Sequence, residues 1–147
     1  NISASGVKVI SNSVDVVNAR IEFENNCVVN LTTSRISQKN MRKMRIFQEN
    51  EYITVNFQNS SIEEYKIKNQ KSKINASDLI IDIEGEKDKH IVYHRPEIVK
   101  YDALKEELIY FINSIQNSNI PETDGVSALK ALKIAFKIQN ILDQQSY

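Results

Sequence analysis

The hydrophobic period of this chain changes once, near residue 95, and that change sets the fold class. Before it, β-branched and aromatic residues alternate with polar ones, as in strands. After it, apolar residues recur every three or four positions, as in helices. Strands followed by helices read as α+β: an open-faced, predominantly antiparallel sheet of about six or seven strands, with two C-terminal helices packed on one face.

The clearest strand pair lies early. In Val17-Asn18-Ala19-Arg20-Ile21-Glu22-Phe23 the odd positions are apolar and the even ones polar, and Cys27 to Thr33 alternates in the same way. A three-residue connection at Glu24-Asn25-Asn26 pairs Phe23 with Cys27, Ile21 with Val29 and Ala19 with Leu31. A two-residue connection would set Ile21 against Asn30. The longer loop needs a left-handed residue at its end, and Asn tolerates that conformation best after glycine, so Asn26 fits the role. Cys27 is thereby expected on the inward face beside Phe23, acting as a small hydrophobe.

Further strands are expected at Gly6 to Ile10, Met41 to Gln48, Tyr52 to Phe57, Ile62 to Ile67 and Leu79 to Ile83. Lys68 to Ser77 reads as a solvated, variable loop. A first helix is expected from Asp102, with Leu104, Leu108, Phe111, Ile112 and Ile115 forming its apolar stripe. A turn at Asn119-Ile120-Pro121 ends it. Thr123-Asp124-Gly125 opens a second helix carrying Val126, Leu129, Leu132 and Phe136. The 147 residues are expected to form a single domain, long enough to bury a core without disulfide or metal.

Composition removes several function classes. Lysine plus arginine equals aspartate plus glutamate at 19 each, so the electrostatic footprint of a nucleic-acid binder is missing. No apolar run approaches the ~20 residues that span a bilayer, so no membrane partner is expected. The start, Asn1-Ile2-Ser3, has no signal-peptide pattern, and one cysteine suits a reducing cytoplasm. Asn1 in place of methionine reads as a cut point. The three glycines, Gly6, Gly85 and Gly125, lie too far apart to build a phosphate cradle, so no cofactor is expected on this chain by itself.

Candidate chemistry is sparse. His90 and His94 would share a helix face, but their surroundings read as extended, where residues four apart lie ~13 Å from each other. They are read as surface or sheet-edge histidines, and no metal site is expected. No catalytic residue is assigned: Cys27 has no activating base nearby, and the carboxylates at Glu63-Glu64 and Asp82-Glu84-Glu86-Asp88 read as wet sheet faces. Between Glu24 and Glu49 the chain carries Arg35, Lys39, Arg42, Lys43 and Arg45 without an acidic residue. Such a patch suits an anionic ligand, although a solvated face explains it as simply. Arg35 is the first choice, because it ends a strand beside Thr33 and Ser34, where hydroxyls and a guanidinium could converge on a polar ligand.

The stretch from Val16 through Asn18-Ala19-Arg20 to Thr33-Ser34-Arg35 resembles the "NARLEFENGCVANLTASR" hairpin of the glucose-fructose oxidoreductase, inositol dehydrogenase and MocA (Gfo/Idh/MocA) family, with Asn26 in the place of the usual glycine. Met44-Arg45-Ile46-Phe47 with Tyr52 to Phe57, and the tail from Asp102-Ala103-Leu104 through Gly125 to Leu129, are similar as well. The resemblance runs from about Gly6 to Leu142 and covers only the latter part of the family's second domain. It implies a C-terminal substrate-binding and oligomerisation domain of an NAD(P)-dependent oxidoreductase acting on a sugar or sugar derivative. NAD or NADP would be held by an N-terminal Rossmann domain that this chain lacks. The family's E-K-P lysine and D-x-x-x-H pair are also missing: Glu86-Lys87-Asp88 is not E-K-P, and no aspartate has a histidine four residues later.

The resemblance leaves Thr33, Ser34 and Arg35 as a share of a small-molecule, sugar-like substrate pocket, and the open sheet face as a homo-oligomer surface. The alternative is a stand-alone, non-catalytic module of the same fold, serving dimerisation or an anionic ligand.

Overall fold

Eight strands precede two helices: β1 Ile2–Val7, β2 Val16–Glu22, β3 Val28–Ser34, β4 Lys43–Gln48, β5 Glu51–Asn56, β6 Ser61–Asn69, β7 Leu79–Asp82, β8 Lys89–His94, α1 Ala103–Gln116 and α2 Gly125–Asp143. The structure, a computed structural model, describes residues 1–69, 72, 75, 77–99, 102–121 and 123–145. The fold class is α+β, with every strand pair antiparallel. The strands divide into two sheets instead of one, of order β1-β2-β3 and β4-β5-β6-β8-β7. The eighth strand is β8, whose lysine and histidines weaken its apolar alternation. The expected variable loop at Lys68 to Ser77 lies largely outside the described residues.

The chain falls into two units. The first comprises Asn1–Gln38 with Ala103–Tyr147, the second Lys39–Asp102. In the first, Ala19 pairs with Leu31 and Ile21 with Val29, the register that side-chain facing requires. Phe23 N–H donates to Cys27 O (2.9 Å), and Asn26 is left-handed at φ 64°, so the three-residue loop forms as read. α2 lies against β1, burying Ala19, Ile21 and Leu142. Gln145 Nε2 fastens the helix end to Ala4 O at 2.7 Å. The N-terminus of α2 is capped as expected: the Asp124 carboxylate accepts from Ser127 N–H at 2.7 Å.

Two burial expectations fail. Cys27 and Phe23 are exposed, because their face of the hairpin is bare at its tip. The apolar stripe of α1 also faces solvent, with Leu104 64% and Ile115 63% exposed, and so do Val126, Leu129, Leu132 and Phe136 of α2. Helical periodicity identifies an apolar face correctly but says nothing of whether its cover lies in the same chain. The accessible surface is 12446 Å². Even two separate globules of half the mass would expose only about 9,300 Å².

In the second unit one face carries a cross-strand row, Phe47-Tyr52-Tyr65-Tyr93, with ring centroids 4.7, 5.5 and 5.0 Å apart. The register continues the row to Leu79. The opposite face carries His90, Val92 and His94 of β8, with Lys66 of β6 bridging Glu51 (2.8 Å) and Glu64 (3.0 Å).

Candidate substrate site

Arg35 follows β3 directly, and its backbone N–H donates to Asp15 O at 3.0 Å, extending the β2-β3 ladder by one step. Alternation then places Asp15, Thr33 and Arg35 on the face that also carries Val17, Ala19 and Ile21. Ser34 points the other way. The three expected site residues therefore do not converge: Thr33 and Arg35 share a face, while Ser34 Oγ accepts from Ile36 N–H at 3.3 Å and shapes the turn beyond.

Asp15 organises this end of the sheet. Its side chain is fully buried, and Oδ2 accepts backbone N–H bonds from Val9 and Ile10 (both 2.8 Å) and from Ser11 (3.1 Å). Oδ1 accepts from Ser11 Oγ at 2.8 Å and lies 3.2 Å from Arg35 Nε. The N–H groups of Val9 and Ile10 hold this carboxyl far below the usual carboxylate range; burial opposes them and loses. Arg35 Nη2 donates to Ser13 Oγ (2.9 Å) and Val14 O (2.7 Å). The guanidinium is thus anchored through Nε to Asp15 and through Nη2 to the loop between β1 and β2, and the side chain remains half-exposed. A guanidinium fixed in this way loses little entropy when it donates to a ligand oxygen. Sequence reasoning missed Asp15. The turn-forming run Ser11-Asn12-Ser13 before it was a signal, but its chief partners are backbone amides, which leave no residue pattern.

The histidines depart from expectation. His90 is 4% exposed on inner strand β8, and its Nε2 has no partner among the described residues. His94 Nδ1 lies 2.7 Å from Oδ1 of buried Asp78. Burial pushes Asp78 up, but the bonds from His94 and Asn75 N–H, with the charges of His94 and Lys68, bring it below its ordinary value. Among the described residues no three His, Cys, Asp or Glu side chains gather in the manner of a metal site. No helix among them is long and apolar enough to cross a membrane. Of the basic run, Arg35 lies in the first unit, whereas Lys43 and Arg45 are exposed on β4 of the second.

No protein-family model matches the chain. Over 139 residues, 95% of its length, it is 27% identical to UDP-N-acetylglucosamine 3-dehydrogenase of Acidithiobacillus ferrooxidans. The likeness runs over nearly the whole chain. Two crystal structures of the Acidithiobacillus enzyme superpose on 97% of the chain with TM-scores of 0.77 and 0.76, at 24% identity, which shows a shared fold. The chain spans about two fifths of that relative's length.

The described residues do not offer a dinucleotide cradle. Among the described glycines, Gly85 sits at positive φ in an isolated turn, and Gly125 opens α2 directly behind the Asp124 carboxylate. That carboxylate already takes the Ser127 N–H and would repel a diphosphate from the helix end.

Proposed function

We propose that this chain is the substrate-binding and oligomerisation domain of an NAD(P)-dependent oxidoreductase acting on a sugar derivative, a sugar nucleotide being the first candidate. The observation that carries this reading is the match of 95% of the chain to two fifths of a UDP-N-acetylglucosamine 3-dehydrogenase. NAD or NADP is held by an N-terminal Rossmann domain of the complete protein, and the lysine and histidine that move hydride and proton lie before Asn1. Residues 1–147 act as one domain in the cytoplasm, where Cys27 stays a thiol. Its share of the reaction is to bind and orient. Arg35, locked by Asp15, presents Nη1 to a substrate oxygen, Thr33 stands beside it, and Ser34 sets the turn.

The oligomer forms through the open sheet face of the second unit. Phe47, Ile67, Leu79 and Ile81 are exposed there on the same side as the tyrosine row, an apolar surface that water disfavours. The polar face of the three-stranded sheet, with Ser3, Ser5, Asn18, Arg20, Asn30 and Thr32, is less suited to it.

The test is reduction of NAD+ or NADP+ by the native gene product supplied with UDP-N-acetylglucosamine and other UDP-hexoses. Turnover with at least one is expected. Arg35→Lys should raise KM for the sugar nucleotide about ten-fold while leaving KM for the cofactor unchanged. Failure to reduce either cofactor with any UDP-hexose would sink the reading.

A further inference from the structure

The five-stranded sheet of the second unit ends in two unlike edges. Among the described residues β4 and β7 are its outermost strands, and both are exposed along their whole length. Arg42 O accepts from Phe57 N–H at 2.8 Å, and alternation along the antiparallel ladder then turns the backbone groups of Lys43, Arg45 and Phe47 away from β5. Such a row is a template for another strand. The charges of the two edges are opposite: β4 carries Lys43 and Arg45, whereas β7 ends at Asp82 and is followed by Glu84. None of these four side chains makes an ion pair among the described residues. Two β4 edges side by side would set cation on cation, and two β7 edges acid on acid. We propose that β4 of one copy pairs antiparallel with β7 of a second copy, joining the two sheets edge to edge.

The side chains match as well. β4 and β7 run the same way within their own sheet, because every neighbouring pair between them is antiparallel. An antiparallel junction therefore turns the second copy over, so the face with the ring row in one copy continues as the opposite face of the next. Lys43 and Arg45 lie on the ring-row side and Asp82 on the other; Met44 and Ile46 lie on the other side, and Leu79 and Ile81 on the ring-row side. Turning one copy over brings the two cations to the side of Asp82. It also brings Met44 and Ile46 beside Leu79 and Ile81, all four of them exposed in a single copy. A parallel junction would set Glu49 beside Asp82 and Glu84, acid against acid.

Because the two edges differ, the contact is heterologous. Each added copy leaves an open β4 at one end and an open β7 at the other, so the assembly lengthens as concentration rises. The contact is separate from the open sheet face and independent of the reaction that the protein performs.

Sedimentation velocity of the native protein over a concentration series tests it. The size distribution should shift upward with concentration and fall back at ~1 M NaCl, where the screening length is about 3 Å. Lys43→Glu with Arg45→Glu gives a copy acidic at both edges, and Asp82→Lys with Glu84→Lys a copy basic at both. Each variant alone should need about ten-fold more protein to assemble. All four side chains are exposed, so the substitutions spare the core. An equal mixture of the two variants should assemble as the native protein does, because each altered edge then meets its complement, and only folded copies can do so. An oligomer held by the ring-row face is untouched by either reversal and gains nothing from mixing. Assembly that survives both reversals, variants that stay apart when mixed, or one size at every concentration overturns the edge pairing.

Discussion

The two units are built from the same kind of alternating strand but are fastened differently. In the first, a three-stranded sheet is clamped from one side by α2 and at one end by a buried carboxylate collecting backbone amides. In the second, a five-stranded sheet has no helix among its described residues and relies on lateral pairs, rings on one face and a Glu51-Lys66-Glu64 bridge on the other. One unit concentrates its stability in a few residues; the other spreads it along the strands. Single substitutions should therefore hurt the first unit more.

The largest effect is expected from Asp15→Ala. It leaves three amides without their acceptor and Arg35 without its carboxylate, and should lower the first unit's melting midpoint by on the order of 10 °C. Hydrogen exchange at the Val9, Ile10 and Ser11 amides checks the site, and unchanged protection there would break the contrast. Leu142→Ala removes the best buried side chain of α2, 3% exposed, and should cost about 2–3 kcal/mol in chemical denaturation. Tyr65→Ala interrupts the ring row at its centre, where stacking with Tyr52 and Tyr93 contributes about 0.5–1.5 kcal/mol per pair beyond burial. A double-mutant cycle with Tyr93→Ala isolates one pair, and a coupling near zero would remove the row from the account.

pH sharpens the comparison. Asp15 is depressed from its ordinary 3.8, so its stabilisation is complete above pH ~4 and fades as the pH falls further. Glu51 and Asp78 are also depressed, so acid weakens both units. Alkali does not. Burial, with the Glu63 charge, raises the Tyr65 phenol, and the Glu51 and Glu64 bonds raise Lys66. Both contributions are present below pH ~10 and are lost as the pH rises through the folded-state values. Both of these groups lie in the second unit. Alkaline titration followed by amide NMR should thus loosen the second unit first; simultaneous loss would contradict the division. The smallest expected effect is a gain of about 0.5 kcal/mol from Asn26→Gly, which relieves a left-handed asparagine at φ 64°.

What was legible in the sequence was local. The β2-β3 register followed from side-chain facing, and the left-handed Asn26 from loop length. The start of α2 followed from Thr123-Asp124-Gly125. The division into two sheets was not legible, because β6 pairs with β8 across the intervening β7, and alternation carries no information about which distant edge a strand adopts. The helical stripes were located correctly, yet among the described residues they are exposed. Of the site, Arg35 was visible as a strand-end cation beside Thr33, whereas Asp15 was hidden by its reliance on main-chain donors.

The ring row also determines how the molecule can be watched. The chain has no tryptophan and six tyrosines, three of which stand in that row. Ultraviolet emission and near-ultraviolet dichroism therefore weigh the second unit heavily, and excitation absorbed at one ring can pass to the next at these separations. The first unit, with Tyr110 as its one described tyrosine, is close to dark by comparison. An optical melting curve would follow the ladder of rings and pass over the carboxylate-clamped loop, where the substrate chemistry is proposed to lie.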